Sequence, residues 1–172
     1  MIYMVDHVYT DPGTEAAWHA WYAEYLHKLV SVPGIHSAQR FKALGCAPSR
    51  YLAMYSIDSE EVYSSAPYKA IGGGGSQSKR FHPAYALWTR NLFEGAARAP
   101  LVDAEQRVTV WDSAEQGVNP SGLPSTVWLR AVGLHMTTKY RAFSVSSHKA
   151  AVTPVITGSF VYEPFTAPVL AH

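Results

Sequence analysis

One segment near the amino end, residues 10–41, limits the fold more than any other part of the chain. Asp11 and Pro12 are typical of a helix start, and Pro33 followed by Gly34 is typical of a stop. Between these ends the large apolar residues recur at the i, i+3, i+4, i+7 spacing of one helical face: Trp18, Trp21, Tyr22, Tyr25, Leu26 and Leu29. An aromatic face this wide needs a broad apolar surface to pack on, and a β-sheet provides one.

Runs of β-branched and aromatic residues on both sides of this helix predict strands. In the first hundred residues the predicted strands are Ile2–Tyr9, Ile35–Phe41, Tyr51–Ile57 and a fourth within Ala86–Glu94. A second helix is predicted from Ser59, with a break near Pro67. This order, βαββαβ, is the ferredoxin-like plan, in which both helices pack on one face of an antiparallel sheet.

The second part of the chain has no comparable helix. It has strand-like segments at 107–111, 126–132, 140–146 and 159–162, and loop-like segments at 117–122 and 153–154. We predict a ferredoxin-like α+β barrel module at 1–99, followed at 100–172 by a strand-rich extension or a degenerate second module. The open face of the sheet is covered either by a second copy, which makes a homodimer, or within the chain.

Composition excludes several partners. The formal net charge of +1 and the absence of any Lys/Arg run longer than two residues predict no nucleic-acid binding. No apolar run approaches the ~20 residues of a membrane span, and the first residues do not resemble a signal peptide. The single cysteine, Cys46, rules out an internal disulfide. These features predict a soluble cytoplasmic protein of one domain, or of one domain with an appendage.

Four runs, WHAWYAEYLHKLVSVPG, IHSAQRF, YLAMYSI and SSAPY, resemble as a set the EthD-like branch of the dimeric α+β barrel proteins. The resemblance covers the first hundred residues. It implies a ferredoxin-like fold and a homodimer. The activities of the wider superfamily are cofactor-free cyclases, decarboxylases, dehydratases and lyases on small aromatic or polyketide compounds, and haem-degrading monooxygenases. The helix histidine of that family falls at Tyr25 when counted back from Pro33 and Gly34, and at Leu26 when counted forward from Trp21 and Tyr22. His27 adjoins Leu26 but is out of register with the family histidine, and the proline of that motif is missing.

The residues point to acid–base chemistry because other reactive patterns are missing. No histidine spacing typical of a metal site, no nucleophile elbow and no phosphate loop is present, so no metal and no cofactor is predicted. The glycine tract at 72–75 is interpreted as a flexible loop, with a lid as one role. His7 shares a side of its strand with Tyr3 and Tyr9, and it would line a pocket if that side faces the barrel interior. The alternative is a strand-end histidine bonded to backbone.

The other candidates are weighed against ordinary packing. Arg40 matches the strand arginine of the resembled family and would stabilise an anion; the alternative is a surface arginine paired with a carboxylate. His36 shares the strand face of Arg40, and Arg90 would reach a substrate if the fourth strand forms. We therefore predict two groups. The catalytic group is His7, His27 and Arg40, and the substrate-binding group is Tyr22, Tyr25, His36 and Tyr55.

Two functions follow. The first is a cofactor-independent enzyme that acts by acid–base chemistry on a small, largely apolar aromatic or carbonyl compound, as a lyase, cyclase or dehydratase. The alternative is a non-catalytic module of the same fold that binds a small ligand or dimerises. Haem processing is a third option.

Overall fold

The computed structural model describes residues 1–117, 125–148 and 158–172. The strands of the main sheet are β1 (Ile2–Tyr9), β2 (Ile35–Ala43), β3 (Tyr51–Ile57), β4 (Tyr85–Glu94), β5 (Gln106–Ser113), β6 (Thr126–Leu134), β7 (Tyr140–Ser147) and β8 (Ser159–Pro164). A short strand, β9 (Val169–Leu170), follows. The helices are α1 (Pro12–Val30) and α2 (Ala66–Ala70), with 3-10 turns at Glu60–Ser64 and Lys79–Ala84.

The eight long strands form a closed antiparallel barrel. Their order is β3-β1-β4-β6-β7-β5-β8-β2, and a direct pairing of β2 with β3 closes the ring. β9 pairs with β2 beside the β2–β8 contact. The barrel is therefore completed within one chain, which was one of the two predicted ways of covering the sheet.

Residues 100–172 contribute half of the barrel. The four predicted strands of this region correspond to β5, β6, β7 and β8. The predicted loop at 153–154 lies outside the described residues, as does the loop at 117–122 apart from Gly117.

The helix α1 has the ends and the buried face that its sequence predicts. The Asp11 carboxylate accepts a hydrogen bond from the Gly13 backbone N–H at 2.9 Å, which caps the first turn. Trp18 and Leu26 on the apolar face are fully buried. The second helix is broken at Ser65, which lies within the stretch 65–67 where the sequence places a break, and only its second piece, α2, is α-helical.

Two separate cores decide where a site can lie. The inner core fills the barrel and takes residues from all eight long strands, including Ile2 and Met4 of β1. The outer core lies between the barrel wall and α1, and it takes Val5 and Tyr9 from the opposite side of β1. The side that carries His7 therefore faces α1. The condition for a His7 pocket inside the barrel, that this side faces the barrel interior, is therefore not met.

Candidate functional site

A cavity of about 50 Å³ lies between α1 and the outer face of the barrel wall. Strand β1 contributes Tyr3 and His7, β4 contributes Trp88 and Arg90, and the glycine tract contributes part of the wall. Four of the seven predicted site residues line this cavity together: His7, Tyr22, Tyr25 and Tyr55. These four side chains thus share a cavity on the helix side of the sheet, and their roles in catalysis and substrate binding stay predictions.

His7 is the imidazole of the cavity. Its side chain is almost fully buried, and edge-on contacts with the rings of Trp18, Tyr22 and Tyr85 hold it at centroid distances of 5.4 to 5.6 Å. Within the described ranges its ring nitrogens have no hydrogen-bond partner. Burial, aided by the positive charge of Arg40, lowers the pKa of His7 from 6.5 to about 3. His7 is therefore a neutral imidazole at physiological pH.

Tyrosine hydroxyls form most of the remaining polar lining. The hydroxyls of Tyr22 and Tyr55 are 2.8 Å apart and bonded to each other. The Tyr85 hydroxyl accepts a hydrogen bond from the indole N–H of Trp18 at 3.0 Å. Burial raises the pKa of Tyr22, Tyr25 and Tyr55 above the usual value of 10. These phenols remain protonated and can donate hydrogen bonds to a ligand.

Arg90 supplies a positive charge. In the β1–β4 ladder Arg90 lies opposite Val5 and Trp88 lies opposite His7, so Arg90 and His7 are diagonal neighbours on one face. The guanidinium lies 4.8 Å from the centre of the Trp88 ring. The Nε–H of Arg90 is buried and has no hydrogen-bond partner among the described residues. It is a buried donor that no described residue satisfies, on a side chain that lines the cavity.

Arg40 lies behind the cavity wall. It is 1% exposed, so the alternative of a surface arginine is wrong. Its guanidinium carbon is 4.6 Å from the centre of the Trp18 ring and 4.1 Å from that of Tyr22, and Nη2 bonds Nδ1 of His19 at 3.1 Å. It does not line the cavity. Arg40 therefore influences the site through His7, whose protonated form its charge disfavours.

The structure places His27 and His36 elsewhere. His27 is exposed on the solvent side of α1. His36 bonds the Asp58 carboxylate through Nε2 at 2.6 Å. Both line a separate groove near the carboxyl end of the chain. Although His36 and Arg40 lie on the same strand, only Arg40 contacts a residue of the cavity wall, Tyr22.

His19 is a histidine whose environment the sequence did not reveal. Its Nε2 lies 3.2 Å from the Tyr51 hydroxyl, which donates to the Glu15 carboxylate at 2.8 Å. Burial, followed by the charge of Arg40, lowers the pKa of His19 to about 4. The one sequence signal was its place at the edge of the apolar face of α1.

The glycine tract forms part of the cavity wall. Gly74 donates its backbone N–H to the Tyr68 hydroxyl at 3.0 Å. A Cβ atom at Gly75 would approach the Trp88 ring to 3.1 Å. Gly75 therefore packs closely against Trp88, and a larger residue there would require the ring to shift.

Among the described residues, no group of three or more His, Cys, Asp or Glu side chains is arranged to hold a metal ion. Over the same part of the chain, no helix is both long enough and apolar enough to cross a membrane.

The fold and cavity define an α+β protein built on a closed antiparallel barrel, with its pocket under one long helix. The structure is similar to a solved crystal structure of an anthrone oxidase-like protein, with a TM-score of 0.61 and 13% sequence identity over 99% of this chain and 93% of that chain. No protein-family model and no curated protein sequence matches the chain. The likeness shows a shared fold. It supports the α+β barrel part of the resemblance described above and does not identify the EthD-like branch.

Proposed function

We propose that the protein is a cofactor-independent enzyme that moves a proton on a small, largely apolar aromatic carbonyl compound. The observation that carries the proposal is a neutral imidazole at His7 in the same cavity as the guanidinium group of Arg90, whose Nε–H has no hydrogen-bond partner among the described residues. A cavity with apolar walls and a few convergent polar groups is typical of a small-molecule site.

The proposed step is removal of a proton from a carbon that the carbonyl group activates, either directly next to it or conjugated with it through an aromatic ring. The C–H bond breaks, its electron pair moves through the new C=C bond to the carbonyl oxygen, and the proton binds His7. Arg90 and the tyrosine hydroxyls donate to the resulting enolate oxygen. Burial disfavours the imidazolium form of His7. The negative enolate oxygen that forms as the proton moves stabilises this imidazolium, and it thereby raises the basicity of His7 during the step. The proton then returns to carbon or leaves with a departing group.

Ligand entry requires movement of the cavity wall. The volume of about 50 Å³ is below the ~150 Å³ of a protein cavity known to bind benzene. The glycine tract is the part of the wall with the greatest backbone freedom. We propose that residues 72–75 act as a lid that opens to admit an aromatic ring.

Carbon-bound hydrogen exchange tests the reaction without a co-reactant. The name of the structural neighbour makes anthrone, an aromatic ketone, the first probe, with 2-tetralone as a smaller one. Deuterium uptake from D₂O is followed by NMR, at the carbons next to the carbonyl in 2-tetralone and at the CH₂ group opposite the carbonyl in anthrone, which is conjugated to it through the aromatic rings. We expect wild-type protein to accelerate uptake and His7→Gln to lose roughly 100-fold or more of that acceleration, the scale of general acid–base catalysis.

His27→Gln is the matched control, because it removes an exposed imidazole outside the cavity. It should retain the wild-type rate. The proposal fails if folded His7→Gln protein exchanges either probe as fast as wild type does.

The alternative is a non-catalytic ligand-binding module of the same fold. The observation that favours it is the low pKa of His7, which makes a weak base in the ligand-free cavity. Saturable binding of a probe with exchange no faster than in buffer would support this function.

The homodimer expected from the resemblance stays a prediction. The barrel closes within one chain, so a second copy is not required to complete it. Native mass spectrometry distinguishes one chain from two.

A further inference from the structure

A second cavity opens inside one end of the barrel, on the opposite side of the wall from His7. Its volume is about 230 Å³. Asp6 lines it and is adjacent to His7 in β1, where successive side chains point to opposite faces. The sheet therefore separates the two cavities, and the second cavity does not depend on the function proposed for the first.

A buried ion network forms the polar wall of this second cavity. Arg141 donates from Nη1 to Oδ2 of Asp6 at 2.9 Å, and from Nε and Nη2 to the two carboxylate oxygens of Asp112 at 2.7 and 2.9 Å. Only 7% of the Arg141 side chain is exposed. Two carboxylates against one guanidinium give a formal charge of −1. Among the lining residues Arg141 is the one cation, so this charge is not balanced within the wall.

The wall also has more hydrogen-bond acceptors than free donors. All three nitrogens of Arg141 already bond carboxylates, the Ser49 hydroxyl donates to Asp6 at 3.0 Å, and Tyr162 donates to the Ser49 carbonyl at 3.0 Å. The Asp112 side chain is 46% exposed, and its carboxylate has lone pairs beyond those that Arg141 occupies. A ligand that fits this wall brings donors and a positive charge.

The rest of the cavity is apolar. Its walls include Leu87, Val110, Trp111 and Phe160. Because a cavity of ~150 Å³ holds benzene, the volume here accommodates one ring with a short chain. The aromatic side chains also provide ring faces that attract cations.

We propose that this end of the barrel binds a small organic monocation: a primary ammonium group on a short chain that ends in an aromatic or branched apolar group. The ammonium bonds the Asp112 carboxylate, which completes the charge balance of the Asp6–Arg141–Asp112 network. The apolar group packs between Leu87 and Phe160.

Calorimetric titration with three probes of similar shape tests the charge requirement. The probes are 2-phenylethylamine, neutral 2-phenylethanol and anionic 3-phenylpropionate. We expect saturable binding of the amine, and at least tenfold weaker binding of the alcohol and the acid. Asp112→Asn should weaken amine binding roughly ten- to a hundredfold, the loss expected for one hydrogen bond between charged groups.

Two further variants keep the test interpretable. Asp103→Asn is the matched control, because Asp103 is exposed and does not line the cavity; it should bind the amine as wild type does. Leu87→Trp fills the cavity, leaves all three charges in place and should abolish binding. Circular dichroism confirms that each variant is folded. Equal binding of the three probes, no saturable amine binding, or unchanged binding by Asp112→Asn and Leu87→Trp overturns the proposal.

Discussion

Replacing His7 with glutamine should make the free energy of unfolding less dependent on pH below neutral pH. His7 is buried as a neutral imidazole, with a pKa of about 3 in the folded chain against 6.5 as the ordinary value. Between these two values the unfolded chain binds a proton that the folded chain does not. The free energy of unfolding therefore falls as pH falls through this window, and the loss stops below a pH of about 3.

The size of the effect follows from the width of the window. One pKa unit corresponds to about 1.4 kcal/mol, so His7 alone removes about 2 kcal/mol at pH 5, about 3 kcal/mol at pH 4, and nearly 5 kcal/mol once fully titrated. His19 has a lowered pKa as well and acts in the same direction. It is half-buried, so solvent screening makes its contribution smaller. His7 should therefore dominate the slope among the histidines.

Urea unfolding at pH 7.5, 6.5, 5.5 and 4.5 measures this slope. His7→Gln should lower stability at pH 7.5, because the aromatic contacts of the imidazole are lost, and its deficit should shrink or reverse as pH falls. The same substitution at exposed His27 is the control and should retain the wild-type dependence. A wild-type curve parallel to that of His7→Gln at all four pH values would refute the reasoning.

Three further substitutions have large expected effects, each measured by urea unfolding. Trp18→Ala should cost about 3–5 kcal/mol, because Trp18 is fully buried and stacks on Tyr9; a loss below about 1 kcal/mol would contradict this packing. Asp6→Asn should cost about 3 kcal/mol, the low end for breaking a buried ion pair, since Arg141 retains its other carboxylate. If the Asp6→Asn variant unfolds with the same free energy as wild type, the Asp6–Arg141 ion pair is not buried in solution. Gly95→Ala should cost more than about 2 kcal/mol, because φ is 115° and a Cβ would clash with the backbone oxygen of Trp128. A free energy of unfolding equal to that of wild type would show a different loop conformation.

Local patterns were enough to predict most of the elements. Caps and periodicity set the bounds of α1 within a few residues, and the apolar run of β3 corresponds to the predicted strand, Tyr51–Ile57. The short second helix was also predicted with its break. These features depend on neighbouring residues, which the sequence shows directly.

The candidate site was predicted in part for the same reason. His7, Tyr22, Tyr25 and Tyr55 meet because they lie on apolar faces of elements that pack together. Arg90 was noted but not included among the predicted site residues. Its role becomes visible only in the β1–β4 register, which places it diagonal to His7.

The amino-acid sequence by itself determined that β1 has two unlike sides, one carrying His7 and the other Asp6. The tertiary structure decided which side lies under α1 and which lies inside the barrel. Alternation assigns the residues of a strand to two sides but does not show which side faces which core. That depends on pairing with strands that are distant in the chain. The partner of Asp6 is Arg141, 135 residues further along, and that contact exists because β4 pairs with β6 and β2 pairs with β8 to close the barrel.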